Sequence, residues 1–384
     1  MTCSAFICRL KHRSIPAKSH NMANNSNLGA AKAAKNDEFY TQYADIQKEV
    51  NAYLEYNPDT FRGKTVLLPC DDPEWSNFTK FFAQNFEKLG LKKLISTSFA
   101  VESKRYNDYE PTLFETEDEK FDPDKTRVKG KIFILENDVN CNSCIDIDDL
   151  QWEYLEGDGD FRSPEVCKLR DEADMIVTNP PFSLFREFIA WIVEARKEFL
   201  IIGNMNAISY KEVFPLIKEN KIWLGVNSNL TMEFSIPMEY SKWSRIEKGV
   251  KYGKVPGVSW FTNLEHGRRH QALKLMTMKD SIRYSKHKEI RERGYIKYVN
   301  YDAIDVPFTD SIPVDYDGIM GVPITFLNKY CPEQFEIVGH SLQLADMNVI
   351  KAILGRAGGG PRFYVMKDNG LIRLYERLAI RKLN

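Results

Sequence analysis

Short apolar runs alternate along this chain with segments whose apolar residues recur at helical spacing, and this alternation constrains its fold more than any other feature. Thr65-Val66-Leu67-Leu68, Leu94-Ile95-Ser96-Thr97-Ser98-Phe99, Met175-Ile176-Val177-Thr178 and Phe199-Leu200-Ile201-Ile202-Gly203 read as buried strands. Between the first two, Phe78, Phe81, Phe82, Phe86 and Leu89 line one face of a helix over Ser76 to Leu89, which Gly90 ends. Ser183 to Ala195 and Tyr210 to Asn220 read as the helices after the later strands. Strands exchanging with helices predict a doubly wound α/β sheet. Ile132-Phe133-Ile134-Leu135 is expected as an inserted strand, after a charged, irregular stretch from Glu102 to Lys131. Ile222 to Val226 and Val258 to Thr262 are expected as the last two strands of the sheet. Beyond Asn263 the chain turns basic, helical and loop-rich, which places a domain boundary near Glu265.

A chain of 384 residues with a hydrophobic fraction of 43% can bury a large core and carry a smaller module beside it. No uninterrupted apolar segment is long enough to cross a bilayer, so no membrane association is expected. Lys11, Arg13 and Lys18 are not followed by an apolar run, so no secretory signal is expected either. The polar stretch to about Ala30 reads as a disordered tail, with Met22 as an alternative start. The seven cysteines form no disulfide framework, and Cys141-Asn142-Ser143-Cys144 lacks a second ligand pair. Free thiols, a cytoplasmic location and no metal are the expectation. Net charge is -1, yet His266 to Lys297 holds Arg268, Arg269, Lys274, Lys279, Arg283, Lys286, Lys288, Arg291, Arg293 and Lys297 against Asp280, Glu289 and Glu292. Such a block is either a phosphate-tracking surface or a solvated helix face.

Asn179-Pro180-Pro181-Phe182 follows the Met175–Thr178 run and precedes a helical segment. A strand that ends in Asn-Pro-Pro-aromatic is the active-site signature of amino methyltransferases. An exocyclic amine on an adenine ring is a poor nucleophile, because its lone pair is delocalised. The Asn179 side-chain oxygen and the Pro180 carbonyl can both accept hydrogen bonds from that amine. Two acceptors favour a pyramidal nitrogen, whose lone pair can attack a methyl group. Pro180 and Pro181 fix φ near about -65° and bias the preceding residues away from helical geometry. Phe182 is expected to offer a face for stacking a base extruded from a duplex.

Asp37-Glu38-Phe39-Tyr40-Thr41-Gln42 lies ahead of the first strand, where Phe39 and Tyr40 can wall a cofactor pocket or pack as a helix. The loop after that strand, Pro69-Cys70-Asp71-Asp72-Pro73-Glu74, should meet a ligand at the carboxyl edge of the sheet. It lacks a G-x-G-x-x-G turn. Asp71 or Asp72 can bind an ammonium group, or else cap the helix ahead of Ser76. Glu102 is a weak ribose candidate. Asp158 and Asp160, in Gly157-Asp158-Gly159-Asp160-Phe161-Arg162-Ser163, suit a cofactor's adenine amine or a solvated acidic turn.

With Asn85-Phe86-Glu87-Lys88-Leu89-Gly90-Leu91-Lys92-Lys93-Leu94, Asn179-Pro180-Pro181-Phe182-Ser183-Leu184-Phe185 and Gly321-Val322-Pro323-Ile324-Thr325-Phe326-Leu327, these strings run in one order along nearly the whole chain. From about Ala31 the chain resembles the EcoRI-type adenine-specific DNA methyltransferase family. The resemblance implies a Rossmann-like methyltransferase sheet with a C-terminal target-recognition module. It implies S-adenosyl-L-methionine in a pocket lined by Phe39, Tyr40 and Thr41, to which the reading of the loops adds Asp71, Asp72, Asp158 and Asp160, and transfer to adenine-N6 in double-stranded DNA. It also implies a place in restriction-modification, or solitary or phage-borne DNA methylation, with a cognate restriction endonuclease acting on the same site without a stable complex. The expected division is a tail over 1–30, a catalytic domain over 31–265 and a DNA target-recognition region over 266–384. The segment between Val226 and Val258 is expected to share in sequence reading. DNA contacts are expected from Arg268, Arg269, Arg283, Lys286, Lys288, Arg291 and Arg293. The rival readings are an RNA or protein-glutamine methyltransferase, and a non-catalytic DNA-binding protein on the same scaffold.

Overall fold

The computed structural model describes residues 40–71, 76–100, 120–139, 144–145, 149–228, 230–236, 238, 243–356, 359–367 and 370–383. The expected tail, Phe39, Asp72, Glu102 and Cys141 lie outside them. The main sheet contains, in chain order, β1 (Tyr40–Thr41), β2 (Thr65–Leu68), β3 (Lys93–Thr97), β4 (Lys131–Leu135), β5 (Gln151–Tyr154), β6 (Met175–Thr178), β7 (Glu198–Asn204), β8 (Trp223–Leu224), β9 (Leu230–Ile236), β10 (Arg245–Glu247) and β11 (Val250–Thr262). Across the sheet the order is β1-β9-β11-β7-β6-β2-β3-β4-β5, with β8 and β10 as further partners of β11. The central strands β3, β2, β6 and β7 are mutually parallel. β4 and β5 extend one edge antiparallel, and β11, β9 and β1 extend the other. From β2 the chain winds to β3 on one side, and from β6 to β7 on the other. The reversal falls between β2 and β6, and a crevice outside the carboxyl ends of such a pair is where an open α/β sheet binds its ligand.

Local chemistry explains the elements beside that crevice. Helix α1 (Tyr43–Tyr56) precedes β2, and α2 (Asn77–Gln84) follows it. The Ser76 hydroxyl caps α2 by accepting from the Phe78 amide at 3.1 Å. Phe78, Phe81, Phe82, Phe86 and Leu89 are all buried, each worth about 1.5–3 kcal/mol of removal from water. Gly90 ends the short α3 (Phe86–Leu89) in the left-handed conformation. Ile132 to Leu135 does form a strand within β4, and β7 and α6 (Phe185–Glu194) follow the expected pattern.

The Val226–Val258 segment, expected to share in sequence reading, supplies β9, β10 and residues 250–258 of β11 to the main sheet. The region after Asn263 is helical and loop-rich as expected, but it also holds strands that sequence reading did not place. It builds a second sheet in the order β12-β13-β14-β18-β15, from β12 (Ile296–Lys297), β13 (Ile304–Asp305), β14 (Met320–Pro323), β15 (Phe335–His340) and β18 (Arg377–Lys382). β16 (Tyr364–Lys367) and β17 (Gly370–Arg373) form a separate hairpin. β11 ends at Thr262, close to the boundary expected at Glu265, but that boundary does not separate two cores. Leu67, Ile176 and Phe261 of the first sheet share one apolar cluster with Met320, Val322 and Leu378 of the second.

Candidate active site

The site grows from the end of β6. Thr178 is its last residue, and Asn179-Pro180 leads directly off the strand at the switch point. Pro181 holds φ -53° and ψ 121°, non-helical angles that turn the chain before a short 3-10 turn, Phe182–Leu184, feeds α6. The Pro180 side chain and the Asn179 side-chain oxygen are buried.

Thr178 ties this turn to the loop after β2. Its hydroxyl lies 2.7 Å from the Pro69 carbonyl and also donates to the Asp71 carboxylate. The other Asp71 oxygen accepts from the Ser76 hydroxyl at 2.7 Å. The Asp71 amide donates to the Thr97 carbonyl at the end of β3 at 2.9 Å, and the Ser96 hydroxyl donates to the Asp71 carbonyl. Asp71 is 6% exposed and therefore joins β2, β3, β6 and the start of α2 in one knot. Ser76, not Asp71, caps α2. The Thr178 and Ser76 hydroxyls are functional candidates that motif reading missed, because their role depends on strands more than 100 residues apart in sequence.

Tyr40 and Thr41 come to the same place from the far edge of the sheet. β1 pairs Thr41 with Phe234 of β9, and the Asn77 side chain at the start of α2 donates to the Thr41 carbonyl at 2.7 Å. Phe234 meets Phe182 edge to face, with ring centroids 6.5 Å apart. Phe182 is 9% exposed and belongs to the core cluster beneath α2. The ring expected as an open stacking platform is thus largely covered, because β9 folds Phe234 against it. The Thr41 and Thr97 hydroxyls are buried with no hydrogen-bond partner among the described residues. Orphaned buried hydroxyls are rare, and two beside one crevice fit a polar ligand.

The Gly157–Asp160 loop reaches the end of β3. Its Asp158 carbonyl accepts from the Ala100 amide at 2.8 Å. Gly159 has φ +84°, and a Cβ there would lie 2.2 Å from the Ser98 carbonyl oxygen, so the close approach requires glycine. Asp160 has a structural role: Arg162 bonds it at 2.6 Å and holds its carboxyl below the usual range, while also pairing with Glu187 at 2.9 Å. Asp158 stays the better-placed of the two acids for a ligand at this edge.

The basic block divides. Arg269 is buried, its guanidinium 3.8 Å from the Trp223 ring centre and 3.3 Å from Glu265. Arg268 is half-buried and donates to the Val226 carbonyl. Both pin β8 to the 3-10 turn Gly267–His270 and leave the set of exposed cations. Arg283, Lys286, Lys288, Arg291 and Arg293 are exposed, on or beside α8 (Met278–Tyr284) and α9 (Lys288–Arg293), two helices of the C-terminal region that pack on each other. Lys286 pairs with Asp310 at 2.8 Å. No group of three or more His, Cys, Asp or Glu side chains placed to hold a metal occurs among the described residues. No described helix is long and apolar enough to cross a membrane.

A mixed α/β sheet that carries Asn-Pro-Pro-Phe at its switch point, braced by a buried carboxylate, is the arrangement expected of a methyltransferase acting on an amine. The model of the adenine-specific methyltransferase EcoRI family matches residues 27–382. The chain is 44% identical over 321 residues to the type II methyltransferase M.EcoRI of Escherichia coli, covering 82% of this chain and 89% of that protein. It is 37% identical to the type II methyltransferase M.MpnI of Mycoplasma pneumoniae, covering 80% of this chain and 83% of the relative. M.MgeORF184P of Mycoplasma genitalium is also 37% identical, over 80% of this chain and 84% of its own length. No solved structure gave a significant match. The chain belongs to the adenine-specific methyltransferase EcoRI family and is a site-specific DNA adenine methyltransferase.

Proposed function

We propose that the chain methylates the N6 amine of an adenine extruded from double-stranded DNA, using S-adenosyl-L-methionine on a Rossmann-like sheet. The observation that carries this reading is the Thr178–Asp71 bond, which couples the Asn-Pro-Pro turn to the loop after β2 across the switch point. The residues fit the donor: Thr41 and Thr97 offer buried hydroxyls, Asp71 a buried carboxylate for an ammonium group, and Asp158 a carboxylate near the end of β3. Bound there, S-adenosylmethionine supplies an electrophilic methyl group with a neutral thioether as leaving group. Asn179 and Pro180 orient the amine by accepting hydrogen bonds from its two N–H groups, the rigid prolines hold both acceptors in place, and the proton that the methylated nitrogen sheds leaves to solvent. Catalysis is then positioning and exclusion of water. Phe182 contributes a ring edge, or a face once Phe234 shifts, against the extruded base. The exposed cations of α8 and α9 support DNA as the substrate, with the region from 266 onward as the recognition module. The setting we infer is a cytoplasmic restriction-modification pair, with an endonuclease acting on the same site. The test is methyl transfer from labelled S-adenosylmethionine to duplex DNA, RNA and protein in parallel. Label in duplex DNA alone supports the reading, and label in RNA or protein alone overturns it.

A further inference from the structure

β7 ends at Asn204, opposite Val258 of β11. β11 does not stop there. Its first eight residues, 250–257, run past the carboxyl end of β7, and among the described residues they pair only with β9 and β10. The register shifts between Val255 and Val258, where Gly257 has φ +69°, so the overhanging part bends out of the sheet. Lys251 and Tyr252 still pair with Ile236 and Ser235 of β9 as well as with β10, and beyond them the tip is a two-stranded hairpin of Glu247, Val250 and the turn between them. Glu247 pairs with Val250 across a two-residue turn, Lys248-Gly249, with φ +49° and +80°. Arg245 stiffens the ribbon from its side: it bonds Glu233 at 3.0 Å and lies 4.0 Å over the Tyr252 ring.

Every residue from Trp243 to Val250 is exposed, including Trp243 at 55% and Ile246 at 50%. Lys248 sits in the turn, and Lys254 is exposed further along β11. An ordered ribbon that presents apolar and cationic side chains to solvent marks a contact surface. Its position says what it contacts. Gly253 pairs with Phe234, the residue packed on Phe182 of the catalytic turn. The turn lies four to five residues beyond Gly253, roughly 15 Å at about 3.3 Å per residue. The tip is thus an extension of the strand region that borders the catalytic turn. The major groove, about 12 Å wide, admits a two-stranded ribbon.

We propose that the β10–β11 ribbon enters a groove of the substrate duplex beside the extruded base. Lys248 and Lys254 contact phosphates, and Ile246 makes an apolar contact with base edges. This inference rests on the reading of duplex DNA as substrate; within the Val226–Val258 segment already expected to share in sequence reading, it goes further by naming the ribbon tip, its groove contact and the side chains that make it.

The test compares Lys248→Glu and Ile246→Ser with the wild type. It measures duplex affinity across salt concentration, S-adenosylmethionine affinity, and cross-linking of Lys248→Cys to duplexes carrying a tethered thiol at successive positions, with the wild type as background. The expected result for Lys248→Glu is weaker duplex binding, a salt slope flattened by about 0.9 for the lost phosphate contact, and unchanged cofactor affinity. Ile246→Ser should raise KM for DNA with cofactor KM unchanged, and the cross-link should map next to the target adenine. Unchanged DNA affinity in both variants, or cross-links nowhere near the target, would overturn the inference while leaving a wild type that methylates DNA intact. A wild type that does not methylate duplex DNA would instead remove the reading on which it rests.

Discussion

Thr178 carries more of the site than its place before the motif suggests. Its hydroxyl is the link between the Asn179 turn and Asp71, and a methyl group in its place leaves the carboxylate with one hydroxyl partner fewer in a buried setting. Thr178→Val, nearly the same shape, should lower kcat and raise KM for S-adenosylmethionine, whereas Thr178→Ser should recover most of both. Measured kcat and KM for each substrate check this, and equal activity in the two variants would mean that shape, not the hydroxyl, matters. At this scale the site was half legible. Asn179, Pro180, Pro181 and Asp71 stand out as candidates by residue type and by position at strand ends, and Thr41 enters only through the family resemblance. Thr178 and Ser76 do not, since a hydroxyl in a strand or before a helix has many roles. The fate of Phe182 was hidden for a different reason: its exposure is set by Phe234, 52 positions away, through a pairing of β1 with β9 that no local pattern encodes.

Among the elements, the loop that packs against the end of β3 depends on a single glycine. Gly159→Ala forces a Cβ into the Ser98 carbonyl, which should cost about 1–3 kcal/mol of stability and, on the proposal that Asp158 meets S-adenosylmethionine, weaken its binding. Thermal unfolding and cofactor titration of the purified variant measure both effects. For α8 and α9, removal of the exposed Arg283, Lys288 or Arg293 should each flatten the salt slope of log K for DNA by about 0.9 if that cation meets a phosphate. Arg269→Ala should instead lower stability, because its guanidinium is buried against Trp223 and Glu265. Binding titrations at several salt concentrations, set beside melting curves, separate the two kinds of arginine. The parallel strands were readable because each is a continuous apolar run. The second sheet was not: β12 and β13 have two residues each, and β14 is Met320-Gly321-Val322-Pro323, so neither alternation nor length marks them as strands. β14 is held by pairing with β18, at the far end of the chain, and β13 and then β12 build outward from β14.

For the whole molecule, the two sheets share a core, and the junction beside β8 is pH-sensitive. His266 is buried there, with Nδ1 accepting from the Arg269 amide and Nε2 facing the Leu224 carbonyl at 3.0 Å, which places the proton on Nε2. Burial, then the charges of Arg269 and Arg268, lower its pKa to about 4 from an ordinary 6.5. The folded protein thus resists a proton that the unfolded chain accepts. Stability from this residue is whole above pH 6.5, is lost as pH falls toward 4, and changes no further below that, a total of about 3 kcal/mol. Urea unfolding of the wild type and His266→Gln between pH 7 and 4 should show a shallower loss in the variant, and parallel curves would refute this assignment. The central claim is that the turn at Asn179 transfers methyl groups to adenine N6. Its most direct test is to incubate the protein with labelled S-adenosylmethionine and duplex DNA, then digest the DNA to nucleosides. The expected result is label in N6-methyladenine alone, absent with Asn179→Ala although that variant still binds S-adenosylmethionine as the wild type does. Label in a cytosine product, or undiminished transfer by Asn179→Ala, would contradict it.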